Sequence, residues 1–188
     1  PSPGVVPSEG KPVGLSPFSV LGPMARTVND AALLLAAQTS DDPRDPFSGG
    51  LDPSLFEPLT PGDLSSVRVA ISTDLGGAPV SKAYRDIFSA RTKSFRHVFA
   101  EAQDRDPNFT DVHECFEVLR GVNFVAAHGQ RVRDRRDDLS PNVVDNVDRG
   151  LAYSLEDVAH AHLQQTKIAR DWLRLFDEVD VVICPATS

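Results

Sequence analysis

Residues 19–37, SVLGPMARTVNDAALLLAA, pass from a turn-forming Gly-Pro into a run of alanine and leucine. Thr27 is placed to cap a helix, and Asp30 three residues on gives a capping-box-like start. Alanine and leucine then follow on every face, the pattern of a helix buried on all sides in an enzyme core. Arg26 and Asp30, four apart, are spaced to pair across the first turn and hold that helix in place. Nothing near this stretch is a nucleophile, so the chemistry must be sought elsewhere.

Outward from it, a turn-rich segment leads to VRVAIS at residues 67–72, alternating and β-branched like a short strand, followed by the loop TDLGGAP. Strand followed by glycine loop points to an α/β unit. From Ser81, itself a good cap, Tyr84, Ile87, Phe88, Phe95, Val98, Phe99 and Ala102 share one helical face. A third helix is expected from Asp111, with Glu114 as capping partner, burying Val112, Cys115, Phe116, Leu119, Val122 and Ala126. The run RVRDRRDD that follows alternates in sign and reads as a solvated face rather than a phosphate site.

Ser140 before Pro141 opens a short fourth helix that Gly150 is expected to terminate. Ser154 with Asp157 starts the longest helix, with Leu155, Val158, Ala159, His162, Ala169, Trp172, Leu173 and Phe176 as its apolar stripe. The closing strand, DVVIC at residues 180–184, is apolar on both faces and belongs inside a parallel sheet covered by helices. Five helices against two strands leave the sheet incomplete. The missing strands lie outside this chain, in a second copy, or in segments whose pattern conceals them. Buried unpaired backbone groups would cost roughly 1–3 kcal/mol each, so an isolated chain is expected to associate or exchange strands. The class is α/β, in one domain over residues 1–188.

A chain of 188 residues, 40% hydrophobic, can bury a core, and its formal charge of −8 repels nucleic acid and anionic membranes alike. The expected partner is a small molecule or a protein. Cys115 and Cys184 are far apart in no metal-like spacing, which favours a reducing, cytoplasmic setting. No apolar run approaches the roughly 20 residues of a membrane span, and the sequence does not open on a basic-then-apolar leader. The opening PSPGVVPSEGKPVGLSP, without an initiator Met, reads as a loop cut from a longer polypeptide.

Chemistry alone finds no constellation. Cys184 follows an apolar strand at the end where α/β folds place their sites, so it is either a reactive thiol or an inert core residue. His160 and His162, two apart, face different sides of their helix and do not suit a metal; His162 reads as a core histidine. Asp41, Asp42 and Asp45 lack calcium-loop spacing, and DLGGAP lacks the ending of a phosphate loop; all read as turns.

GPMARTVNDAALLL followed by DDPRDP resembles the amidase signature family. VRVAISTDLGGAPVSKAYRD is similar to the segment that starts a strand after that family's signature region, and VDVVICPATS resembles its late strand. The resemblance implies a portion of the amidase signature fold, a mixed β-sheet covered by helices. It also implies amide hydrolysis by a Ser, cis-Ser and Lys triad, without metal or organic cofactor. No residue of this chain maps onto that triad, whose residues are expected upstream. Ser19 stands where many relatives carry Asp three residues before Gly-Pro. Pro185, Ala186 and Thr187, after the late strand, are the implied substrate-binding residues, or else simply a tight turn. Two other readings stand beside a part of an amidase acting on a small carboxamide: a non-catalytic binding or scaffold fragment, and a thiol hydrolase built on Cys184.

Overall fold

The computed structural model describes residues 1–186 and divides into two compact units. The first comprises Pro1–Pro61 with Asn123–Asp148, the second Gly62–Val122 with everything described from Arg149 onward.

In the first unit, α1 (Val28–Gln38) starts at Thr27, whose hydroxyl accepts from the Asp30 N–H at 3.1 Å. The expectation of burial fails: no residue of α1 is buried, and Val28 and Leu33 lie largely exposed. A helix apolar on every face needs cover on every face, and the described residues do not supply it. Arg26 and Asp30 form no ion pair among the described residues; Asp30 begins the first turn through its backbone N–H instead. The Asp41–Asp45 segment is a set of turns, as expected. Buried Asp45 accepts from the N–H groups of Ser8 and Phe47 at 2.8 and 2.9 Å, and Asp42 from the N–H and guanidinium of Arg44.

The second unit is built on three parallel strands in the order β2-β1-β3. β1 (Arg68–Ile71) is central, with Val69, Ala70 and Ile71 buried. β2 (Glu101–Asp104) pairs with it in the register Arg68↔Glu101, and β3 (Val181–Ile183) in the register Val69↔Val181. One missing strand was therefore inside the chain. EAQD has no β-forming residues, and periodicity assigned Ala102 to a helical stripe; pairing with β1 overrides that local preference. The helix before it, α2 (Lys82–Phe95), is capped by Ser81 as expected and ends in a 3₁₀ turn over Arg96–Val98. Among the described residues the closing strand has a neighbour on one side only. In this three-stranded set β3 is outermost, and the strand apolar and buried among the described residues is β1.

α3 (Val112–Arg135), α4 (Pro141–Ala152) and α5 (Leu155–Phe176) connect β2 to β3. α3, not α5, is the longest. Asp111 precedes it at φ +66°, a left-handed conformation unlike an ordinary cap, and its carboxylate faces Lys167 at 3.5 Å. Cys115 and Leu119 are buried as expected, whereas Phe116 and Ala126 are exposed. The charged run ends α3 exposed to solvent, with Arg136 paired to Asp148.

Gly150 does not terminate α4, which continues to Ala152. It lies against Gly121 of α3: a Cβ on Gly121 would stand 2.9 Å from the Gly150 Cα. α5 begins in the predicted capping box of Ser154 and Asp157 but buries the other face, through Ala161, Gln164 and Leu175. Ala161 packs with Cys115, Val118 and Leu119, and Leu175 packs with Ala70 and Val179. The expected stripe is largely open, with Leu155 85% and Leu173 67% exposed, and His162 is exposed rather than in the core. Among the described residues no helix is long and apolar enough to cross a membrane.

Candidate functional site

Because the three strands are parallel, their carboxyl ends share one edge of the sheet, the edge at which open α/β sheets place ligands. Ser72 follows β1 there and is only 1% exposed. Its N–H donates to the Ile183 carbonyl at 3.0 Å, and its hydroxyl donates to Asp106 Oδ1 and accepts from the Leu75 N–H, both at 2.7 Å. One side chain thus ties β1 to the segment after β2 and to its own turn. Leu75 and Gly76 follow at φ +56° and +80°, and a Cβ on Gly76 would lie 3.1 Å from the Pro107 carbonyl. A non-glycine residue such as Leu75 pays for this conformation, and the Ser72 hydroxyl and the Asp74 turn hold it.

Between α2 and the ends of β1 and β2 lies a cleft of about 370 Å³, walled by Thr73, Thr92, Lys93, Arg96, Arg105 and Asp106 among others. Most of its charge is already committed. Arg96 donates to the Ala102 carbonyl at 2.6 Å and to Asp104 at 3.2 Å. Arg105 reaches both oxygens of Glu178, at 2.5 and 3.1 Å; this hydrogen bonding holds the Glu178 carboxyl below its usual range and raises the Arg105 guanidinium further. Lys93 has no ion-pair partner among the described residues. The cleft offers hydroxyls and one free ammonium, but joins no nucleophile to a general base. Ser72, buried and donating to a carboxylate, is a clamp.

Cys184 and Pro185, both half-buried, and exposed Ala186 leave β3 at the same edge; none of them walls this cleft. Thr187, the third residue implied by resemblance, lies outside the described residues. Cys115 is buried and donates to the Ala161 carbonyl at 3.2 Å, while burial, and then the Glu114 carboxylate, push its thiol up. It is a packing residue. No group of three His, Cys, Asp or Glu among the described residues is arranged to hold a metal ion. The Ser72–Asp106 clamp escaped sequence reading because Asp106 follows the strand that periodicity concealed; Ser72, directly after an apolar strand, was the available signal.

A model of the Amidase family matches residues 1–188. A glutamyl-tRNA(Gln) amidotransferase subunit of Thermosynechococcus vestitus is 26% identical over 98% of this chain and 44% of its own length. The corresponding subunit from Thermobifida fusca is 27% identical over 88% of this chain and 39% of its own. Among solved structures, a bacterial aryl acylamidase of the amidase signature enzymes superposes with a TM-score of 0.83, at 22% identity, over 98% of this chain and 40% of that one. A second amidase structure superposes with a TM-score of 0.65 at 19% identity. The chain spans less than half the length of these relatives. The order of its blocks, its parallel sheet and the match along its length all agree: the chain belongs to the Amidase family.

Proposed function

We propose that residues 1–188 are the carboxyl-proximal part of a single amidase domain that hydrolyses the C–N bond of a small carboxamide. The observation that carries this reading is the family match along all of residues 1–188. The reaction proceeds through an acyl-enzyme: a lysine, acting through a bridging serine, activates a nucleophilic serine, and backbone N–H groups hold the tetrahedral oxyanion. These residues come from outside residues 1–188, because no position of this sequence matches the family's serine, cis-serine and lysine. Pro185, Ala186 and Thr187 line the acyl or amine pocket beyond β3. The names amidotransferase and aryl acylamidase, carried by similar proteins, both refer to amide chemistry and support this class of substrate. The setting is the cytoplasm, with the rest of the same polypeptide completing the sheet.

The test is covalent. The polypeptide that carries residues 1–188 is treated with a fluorophosphonate probe, and the modified peptide is mapped by mass spectrometry. Modification of a serine outside 1–188 supports the reading; modification only of a residue within 1–188, or none, overturns it.

A second reading is favoured by the apolar surface left open on α1 and α5 and by the unpaired outer edge of β3 among the described residues. On it, the chain is a non-catalytic scaffold whose edges drive association. Monomeric behaviour together with amide hydrolysis would exclude it.

A further inference from the structure

Among the apolar surfaces left open, α1 has the geometry that says most about its cover. None of its residues is buried, and Val28, Leu33 and Leu34 are all exposed. A helix advances about 100° per residue, so these three side chains leave the axis about 100–140° apart, on three different sides. The polar residues of α1, Asn29, Asp30 and Gln38, stand at its two ends; from Ala31 to Ala37 every side chain is apolar. The helix therefore has no face suited to water along its middle. The open surface continues into the segment before it, where Val20 and Leu21 are exposed and Met24 is 94% exposed.

A partner that meets one side only leaves the other sides wet. A second copy docking about a twofold axis brings one patch against the same patch, and so covers one side. Covering Val28, Leu33 and Leu34 together takes chain that passes around the helix, as the neighbouring elements of a single core do. A longer polypeptide has such chain to offer. The similar amidotransferase subunits match this chain over only 44% and 39% of their own lengths, so more than half of each lies outside the matched part.

We propose that α1 is enclosed on several sides by a segment of the same polypeptide that lies outside residues 1–188. The side chains of that segment facing Val28, Leu33 and Leu34 are aliphatic or aromatic, since no polar group along the middle of α1 is there to pair with them. This enclosure rests on the reading of residues 1–188 as part of a longer domain, and not on the reaction assigned to it.

The polypeptide that carries residues 1–188, without any substitution, is exposed to hydroxyl radicals and then digested. Modification of Val28, Leu33 and Leu34 is read by mass spectrometry against the same peptides exposed after digestion. Slowing by at least about tenfold at all three positions, present in the monomer isolated by size exclusion, is expected. A smaller slowing at any of the three would overturn the proposal. Protection found only in an oligomer would make a second copy the cover and would overturn it equally. Protection in the monomer of a protein in which a fluorophosphonate labels no serine outside 1–188 would support the enclosure and remove only the amidase reading.

Discussion

The contact between Gly121 and Gly150 sets how closely α3 and α4 approach, and substitution there has a calculable outcome. A Cβ at Gly121 would meet the Gly150 Cα at 2.9 Å, the Tyr153 ring at 3.2 Å and the Gly150 nitrogen at 3.4 Å. Two of these three atoms are backbone, so no rotamer change relieves the crowding and the helices must part. Overpacking of this kind costs about 1–3 kcal/mol. Replacing glycine by alanine inside a helix returns about 1 kcal/mol of backbone preference, so Gly121→Ala should destabilise by about 1 kcal/mol on balance, the middle of a range of roughly 0–2 kcal/mol. Gly129, in the same helix, is the internal control. Its Cβ would find only side-chain atoms, Val125 at 3.5 Å and Arg133 at 3.8 Å, which is ordinary contact. Gly129→Ala should therefore stabilise by about 0.5–1 kcal/mol. With a urea m-value of about 2 kcal/mol/M, the two unfolding midpoints should separate by about 1 M, on opposite sides of the wild type. If Gly121→Ala matched or exceeded Gly129→Ala, the close crossing of α3 and α4 would be wrong.

Three further outcomes follow from the geometry. Ser72→Ala removes the hydroxyl that serves both Asp106 and the Leu75 N–H, and should lower stability by about 1–3 kcal/mol in urea unfolding; an unchanged midpoint would show that the clamp contributes nothing. Asp180 accepts from the Arg68 guanidinium and N–H, which lower its carboxyl from 3.8 to about 2. Its folded value lies below its unfolded one, so the stability it contributes is complete above about pH 4 and is lost as the pH falls toward 2. Asp180→Asn should flatten the dependence of the thermal midpoint on pH across that window, and parallel curves would refute the assignment. Cys184, half-buried, should react with a disulfide reagent under native conditions well before Cys115, which is buried and whose thiol is pushed up by burial; equal rates would contradict the packing of Cys115.

The legible parts of the fold were those whose signals are local. VRVAIS became β1 at the heart of the sheet, and Ser81, Ser154 and Pro141 marked helix starts because capping depends on a few neighbouring atoms. EAQD was illegible as β2, since nothing in Glu-Ala-Gln-Asp prefers an extended chain until β1 lies beside it. α5 carries two apolar stripes, and periodicity alone could not choose the one through Ala161 and Leu175 over the one through Leu155 and Leu173. Gly150 looked like a stop because a glycine's use in close packing is invisible without its partner, Gly121. Pro185 and Ala186 follow β3, as the strand pattern before them implied, and no cleft described above is walled by them. The Ser72–Asp106 clamp and the cleft beside Lys93 arise from residues distant in sequence and had no local signature.

The central proposal is that residues 1–188 supply framework and pocket while the reacting serine lies elsewhere in the polypeptide. Turnover of simple anilides and carboxamides by a protein consisting of residues 1–188 alone, followed by ammonia or amine release, tests it most directly. No hydrolysis above the buffer rate is expected, with activity present in the longer polypeptide. Turnover by residues 1–188 alone, abolished by Cys184→Ala or by substituting a serine within the chain, would contradict it.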